Sequence, residues 1–161
     1  MRIRPADISD AESIAEIYNS EVSASTATFD LVPRSLADQR TWLIDRSGAH
    51  AVLVAELDDG SIAGFASLSP FHSRPAYSTT VENSVYVHTD RRRSGIALAL
   101  MEALIETARS HGFHSMIARI SGAESSVALH KKLGFEQVGV EREVGRKFGR
   151  WLDVTILQLM L

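Results

Sequence analysis

The densest chemistry in this sequence is the run Arg91-Arg92-Arg93-Ser94-Gly95-Ile96-Ala97, which follows Val85-Tyr86-Val87-His88 and precedes an amphipathic stretch. A strand-like run, a basic turn and a helix start in succession bring backbone N–H groups and the positive end of a helix dipole to one point, and such a point receives anions. Gly95 admits a phosphate close to the backbone and Ala97 is nearly as permissive. The arginines add long-range attraction and charge-assisted donors. Arg92-x-x-Gly95-x-Ala97, with Arg93, Ser94 and Ile96 between and beside its fixed positions, therefore reads as a pyrophosphate cradle. The same residues also suit a basic surface turn before an ordinary helix. Neither GxxxxGK[ST] nor GxGxxG occurs, so the turn is neither a P-loop nor a dinucleotide fingerprint.

Other chemistries fall away on composition. The chain has no Cys, which excludes disulfides, thiolate metal sites and an acyl-cysteine intermediate. Its six His are scattered without HExxH-type spacing, so no metal is expected. A formal net charge of −3 lacks the basic surface that nucleic acid demands. No run approaches the ~18 apolar residues of a membrane span. The opening Met1-Arg2-Ile3-Arg4-Pro5 reaches Asp7 and Asp10 without an apolar stretch, so no signal peptide is read there. A cytoplasmic protein is the expectation. With 161 residues, 45% hydrophobic and 23% charged, the sequence predicts one domain over residues 1–161 with a sizeable core.

Helices and strands must position the basic turn. A short strand at 2–4 leads through polar residues 7–10 into a helix carrying Ile14, Ile17, Tyr18 and Val22. Ser35, with Gln39 beyond it, starts a second helix with Leu36, Trp42 and Leu43, ended by Gly48. The apolar run 51–55 suits a strand buried on both faces. Asp58-Asp59-Gly60 is a hairpin signal leading to a strand at 62–68. After the loop 70–78 comes a strand at 80–88. Ala97, Met101, Leu104 and Ala108 then mark the most regular helix, capped by Gly112. A strand at 115–120, a helix at 124–133 stopped by Gly134, and two long strands at 135–144 and 151–159, joined by a turn around Gly145 and Gly149, complete the chain. The pattern is an α/β fold around a mixed sheet.

At this point a family emerges. Arg92-x-x-Gly95-x-Ala97 after Val85-Tyr86-Val87 resembles the acetyl-CoA motif of GNAT N-acetyltransferases, and more closely that of the phosphinothricin and methionine sulfone/sulfoximine N-acetyltransferase branch. The resemblance covers nearly the whole chain. Residues 81–87 are similar to the branch's catalytic strand. The segment from Ser126 to Phe135 is similar to its next CoA-contacting helix, and Gly145-x-Lys147-x-Gly149-x-Trp151-x-Asp153-Val154 to its C-terminal hairpin. It implies a GNAT-like α/β (α+β) fold, with a mixed, mostly antiparallel sheet flanked by helices. It also implies acetyl-CoA as cosubstrate and a small amino-acid-like or amine acceptor.

The resemblance assigns roles residue by residue. Glu82 becomes the general base for an α-amino group whose pKa of roughly 7.7–8.0 leaves it mostly protonated at neutral pH. Backbone groups of Val85, Tyr86 and Val87 are expected to hold the pantetheine arm, with a nearby bulge freeing an N–H for the oxyanion. Ser126 belongs to the cofactor helix. His130 stands where many GNAT enzymes carry a Tyr that protonates the departing thiolate, and it fits equally a half-buried ring packed on the cofactor. Ala123-Glu124-Ser125 departs from the commoner GNAT pattern, in which an Asn is often found, and leaves the pantetheine's hydrogen-bond partner open. Phe29, Arg74 and Tyr77 are expected to form the acceptor pocket, Arg74 pairing with a carboxylate, phosphinate or sulfone oxygen. His72 is a weaker candidate. The hairpin with Phe148 and Trp151 is expected to help form a homodimer. Two other readings stay open: an acyl-CoA sensor without turnover, and an acetyltransferase acting on proteins or peptides.

Overall fold

The computed structural model describes residues 1–46 and 48–161. Its strands are β1 (Arg2–Pro5), β2 (Val52–Glu56), β3 (Ile62–Pro70), β4 (Thr80–Val87), β5 (Ser115–Ile120), β6 (Glu136–Lys147) and β7 (Arg150–Met160). Its helices are α1 (Ala11–Ala24), α2 (Leu36–Asp45), α3 (Ile96–Ser110) and α4 (Glu124–Lys132). One seven-stranded sheet runs in the order β1-β2-β3-β4-β5-β7-β6. Every neighbouring pair is antiparallel except β4 and β5. The sheet is therefore mixed and mostly antiparallel, with helices on both faces, as the pattern predicts.

Alternation along the strands sorts the core into two layers. Leu53, Ala66, Leu68, Val81, Met116 and Ala118 pack with Leu100, Met101 and Leu104 of α3. Val52, Val54 and Phe65 pack with Ile14, Ile17, Tyr18 and Val22 of α1. The unbroken apolar run in β2 follows from this, since its successive residues serve opposite layers. Helix α3 lies close on β3 because Gly64 has no side chain. A Cβ there would sit 2.8 Å from the Tyr86 carbonyl and 3.2 Å from a Leu100 methyl. Each leucine fully buried in this layer contributes about 1.5–3 kcal/mol.

Local chemistry fixes the element starts. Ser35 caps α2 through a capping box whose partner is Asp38, while Gln39 turns inward and is fully buried. Asp10, at the start of α1, is gripped by both terminal nitrogens of Arg4 at 2.8 and 2.9 Å.

The C-terminal reversal lies later than the two glycines suggest. β6 continues past Val144 to Lys147, and Gly145 pairs with Leu152 inside the ladder. Phe148 and Gly149 make the turn, with φ of 51° and 72°. The strand survives two register irregularities, at 137–139 and 141–145. Within the second, Glu143 takes a φ of 52°, and its N–H donates to the Asp153 carboxylate at 2.8 Å. Gly145 serves close approach instead of the turn: a Cβ there would fall 2.3 Å from the Phe29 ring.

Candidate active site

The site begins where two parallel strands separate. The β4–β5 ladder holds Thr80↔Ser115, Val81↔Met116 and Glu82↔Ile117, then stops, although β4 continues to Val87 and β5 to Ile120. Residues 83–87 stay paired to β3 alone, so their polar backbone edge toward β5 is open. A cleft of about 430 Å³ fills the divergence. Its walls are residues 83–87 and 118–126, with Arg92, His130, Glu21 and, from the loop after α1, residues 25–27. That loop closes one side tightly, for a Cβ on Gly122 would lie 2.2 Å from the Thr26 hydroxyl. The bulge expected in the catalytic strand is absent: β3–β4 pairing runs unbroken from Gly64↔Val87 to Pro70↔Val81. Loss of the β5 ladder frees the N–H groups of Val85 and Val87 instead, while that of Tyr86 faces β3.

At the cleft's outer end stands the basic turn. Arg93 and Gly95 both have left-handed backbones, with φ of 60° and 82°. For Arg93 that conformation costs on the order of 1 kcal/mol. Gly95 is the N-cap of α3, and no side chain caps that end, so first-turn N–H groups remain available for an anion. A Cβ on Gly95 would meet nothing within 4 Å. The glycine is needed for its backbone angle, and the open space above it is where a phosphate fits. Ile96 is a core side chain, 4% exposed, and offers only its backbone. Ser94 is exposed and Ala97 half-buried.

Arg92 is not a free cation. It pairs with Glu21 of α1, whose carboxylate is buried and whose second oxygen accepts from the Ser25 hydroxyl at 2.6 Å. The sequence reading missed Glu21. Its signal was a carboxylate four residues after Ile17 in the apolar stripe of α1, where a leucine would serve packing better.

Glu82 lies at the last rung of the ladder, opposite Ser69 on β3 and Ile117 on β5. Alternation turns it toward the α1 side, whereas Val81, Asn83 and Val85 face α3 and α4. Burial pushes its carboxyl pKa up, Arg119 and then His72 pull it down, and Glu141 adds a smaller upward push. His72 stacks on Phe71 and Tyr77 at ring separations of 4.1 and 5.0 Å, beside a short 3-10 turn over Pro75–Tyr77. Tyr77 and His72 thus gather near the carboxylate. Arg74 is exposed at the start of that turn, with no ion pair or side-chain hydrogen bond among the described residues. Phe29 lies over Gly145 on β6, 41% exposed. Its loop is anchored by Lys147, which is buried and donates to the Thr28 carbonyl at 2.9 Å.

On the other face His130 is 2% exposed. Its Nδ1 lies 2.7 Å from the Ser126 carbonyl and its Nε2 lies 3.0 Å from the Asn83 amide. Burial pushes the ring's pKa down and so favours the neutral form, with the Ser126 contact opposing it. A neutral ring has a single N–H. It serves either the Ser126 carbonyl or Asn83 Oδ1, whose own Nδ2 donates to the Ile117 carbonyl at 3.4 Å. Asn83 is the second residue missed, although a buried Asn amid β-branched neighbours runs against strand propensity and marks a polar task. Arg119 is the third: a charged residue in β5, whose other members are buried, it borders the cleft and pairs with Glu141. Among the described residues no cluster of three or more His, Asp or Glu side chains could hold a metal ion, and no helix is long and apolar enough to cross a membrane.

This geometry has close counterparts. Residues 3–156 match the family model described as an acetyltransferase (GNAT) domain. The chain is 42% identical over 161 residues to an L-methionine sulfoximine/L-methionine sulfone acetyltransferase of Pseudomonas aeruginosa, covering 99% of this chain and 94% of that protein. Among solved structures it is similar to a GNAT superfamily phosphinothricin acetyltransferase from Sinorhizobium meliloti in complex with AcCoA. That match has a TM-score of 0.96 and 38% identity, covering 99% of this chain and 88% of the other. A ribosomal-protein-alanine N-acetyltransferase from Brucella melitensis matches with a TM-score of 0.97 and 38% identity, covering both chains fully.

Proposed function

The chain belongs to the acetyltransferase (GNAT) domain family, and on that premise we propose that it transfers the acetyl group of acetyl-CoA directly to the α-amino group of a small amino-acid-like acceptor. One observation carries the reading. The uncapped N-terminus of α3, with Arg92 beside it, opens onto a cleft between separated strands, and a half-buried carboxylate stands on the last ladder rung before those strands part.

Each part then has a task. The N–H groups of Gly95, Ile96 and Ala97 receive the pyrophosphate, with Arg92, Arg93 and Ser94 around it. The backbone groups that Val85 and Val87 turn to the unpaired edge of β4 receive the amides of the pantetheine arm, with Tyr86 between them, and Ser126 lies on the opposite wall. This lays the thioester where the β4–β5 ladder ends, next to Glu82. Glu82 takes a proton from the ammonium group, and the freed amine attacks the thioester carbonyl. The C–N bond forms, the C–S bond breaks, and CoA leaves as a thiolate that takes up the second amine proton, directly or through solvent. Holding amine and thioester in one pocket supplies much of the rate, and a backbone N–H of the open edge stabilises the oxygen that gains charge.

The acceptor assignment follows the Pseudomonas relative, whose name gives methionine sulfoximine and methionine sulfone. His72 and Tyr77 wall the region beside Glu82, and Arg74 stands uncommitted at its rim. Phe29, whose ring lies over Gly145 of β6, is assigned to the same pocket. The Brucella neighbour's name keeps a protein acceptor as the second reading. Homodimerisation through the hairpin is supported by the edge position of β6 and by exposed Val138, Val140, Val144, Phe148 and Trp151.

The test is thiol release from acetyl-CoA against methionine sulfone, methionine sulfoximine, phosphinothricin, methionine, a polyamine and a lysine peptide. Turnover on the amino acids with tetrahedral heads is expected. Turnover on the peptide alone establishes the second reading, and tight acetyl-CoA binding without turnover establishes a sensor.

For His130 a positioning role is proposed, because burial disfavours the imidazolium that a general acid needs. His130→Gln is expected to lower kcat by less than about tenfold, below the effect typical of a lost general acid. Its pH–rate profile is expected to match that of wild type at high pH. A fall in rate at high pH that wild type shows and the variant lacks, in a stopped-time thiol assay, would make His130 the acid.

A further inference from the structure

We infer that Arg119 on β5 takes the α-carboxylate of the acceptor and so makes the enzyme selective for amino acids over simple amines. The inference rests on the acceptor reading above. The chemistry sets where such a cation must stand. With N–Cα and Cα–C bonds near 1.5 Å, the carboxylate carbon of an α-amino acid lies about 2.5 Å from the nitrogen that Glu82 deprotonates. Its partner must therefore stand close to Glu82, on the same face of the sheet and at the cleft.

Arg119 meets these conditions. Ile117 is the parallel-ladder partner of Glu82, so Arg119, two residues on, faces the same side. Strand spacing and rise put its Cα roughly 8 Å from that of Glu82, a gap a guanidinium on a long stem can close. It borders the cleft, is 37% exposed where its strand neighbours are buried, and acts electrostatically on Glu82. Its ion pair with Glu141 fixes one edge of the guanidinium. The planar fork carries five N–H donors, so a second edge is left for a carboxylate. Arg74, by contrast, is exposed on a flanking loop and lies free to meet the acceptor's oxygen-rich head. The two arginines thus divide the acceptor between its ends.

The experiment compares methionine sulfone with the amine obtained by removing its carboxylate, in wild type and in Arg119→Met and Arg119→Lys. The quantity read is the ratio of kcat/KM for the amino acid to kcat/KM for the amine. A charge-assisted pair is worth enough that the ratio is expected to fall about 10–100-fold in Arg119→Met, mainly through KM. Arg119→Lys should retain part of it, since the charge stays while the fork is lost. Because Arg119 favours the ionised form of Glu82, its removal should also move the acid limb of the rate profile to higher pH. A ratio within about twofold of wild type, in variants whose thermal unfolding matches wild type, overturns the inference while leaving the acceptor reading intact. Absence of wild-type turnover on both compounds overturns the two together.

Discussion

Glu82→Gln is expected to lower kcat by about 10²–10⁴-fold with little change in acetyl-CoA binding, the loss typical of removing a positioned base. The pH profile makes the assignment specific. Burial outweighs the nearby cations, so Glu82 ionises above the ordinary carboxylate range. In wild type kcat/KM should climb with pH through that raised carboxyl value, because the ionised base can take the ammonium proton. The glutamine variant should lose that limb and climb only as the acceptor's own amine, near 7.7–8.0, loses its proton. Stability moves the opposite way. A carboxyl whose folded pKa is raised contributes stability that is fully present below its unfolded value and is lost as pH rises through the folded value. Above the folded value wild type has lost that contribution, whereas the neutral amide carries no such penalty. The variant should therefore unfold at a Tm equal to or above that of wild type while being nearly inactive. A parallel fall in Tm and rate would mean that Glu82 is structural. Steady-state thiol release across pH and calorimetry at pH 7 together decide between them.

Much of this site is legible in the sequence because local rules govern it. The left-handed Gly95, the helix start and the arginine run belong to one short segment, so their joint purpose can be read without knowing the fold. Glu82 is visible for a different reason, as a carboxylate in a strand whose family likeness was strong. What escapes notice are residues whose meaning depends on distant partners. Glu21 becomes a counterion only when α1 is laid beside the turn 71 residues later. Asn83 and His130 meet across 47 residues. Arg119 gains its sense from a ladder that ends two residues earlier. Gly145 misleads in a related way. A glycine near a predicted reversal is read as the turn, but here the space it leaves is filled by Phe29 from a loop more than a hundred residues away. The expected bulge fails because two separating strands expose the same N–H groups that a bulge would, and sequence does not distinguish the two.

Arg92→Met should both destabilise the protein and weaken acetyl-CoA binding, and the two losses can be separated. Glu21 is 6% exposed, and after the substitution its carboxylate keeps only the Ser25 hydroxyl. An uncompensated buried acid of this kind costs about 1–3 kcal/mol, the lower part of the range applying because Arg92 itself is half exposed. Loss of a guanidinium beside a pyrophosphate should raise the acetyl-CoA Kd about 10–100-fold. Glu21→Gln alone tests what the pair does for binding: it releases Arg92 from its anchor, so any drop in affinity measures the value of holding the guanidinium in place. The double variant then apportions the effects. With Glu21 neutral and Arg92 gone, neither charge of this pair is left unmatched, and stability should return toward wild type through a coupling of the kind a double-mutant cycle measures. Affinity should not return, because the phosphates still lack their cation. Raising the salt concentration ought to narrow the gap between wild type and Arg92→Met in calorimetric titrations, as screening weakens the exposed side of the contact. If the double variant instead regains acetyl-CoA affinity together with its Tm, Arg92 serves the fold by neutralising Glu21, and the anion is held by the α3 N-terminus alone.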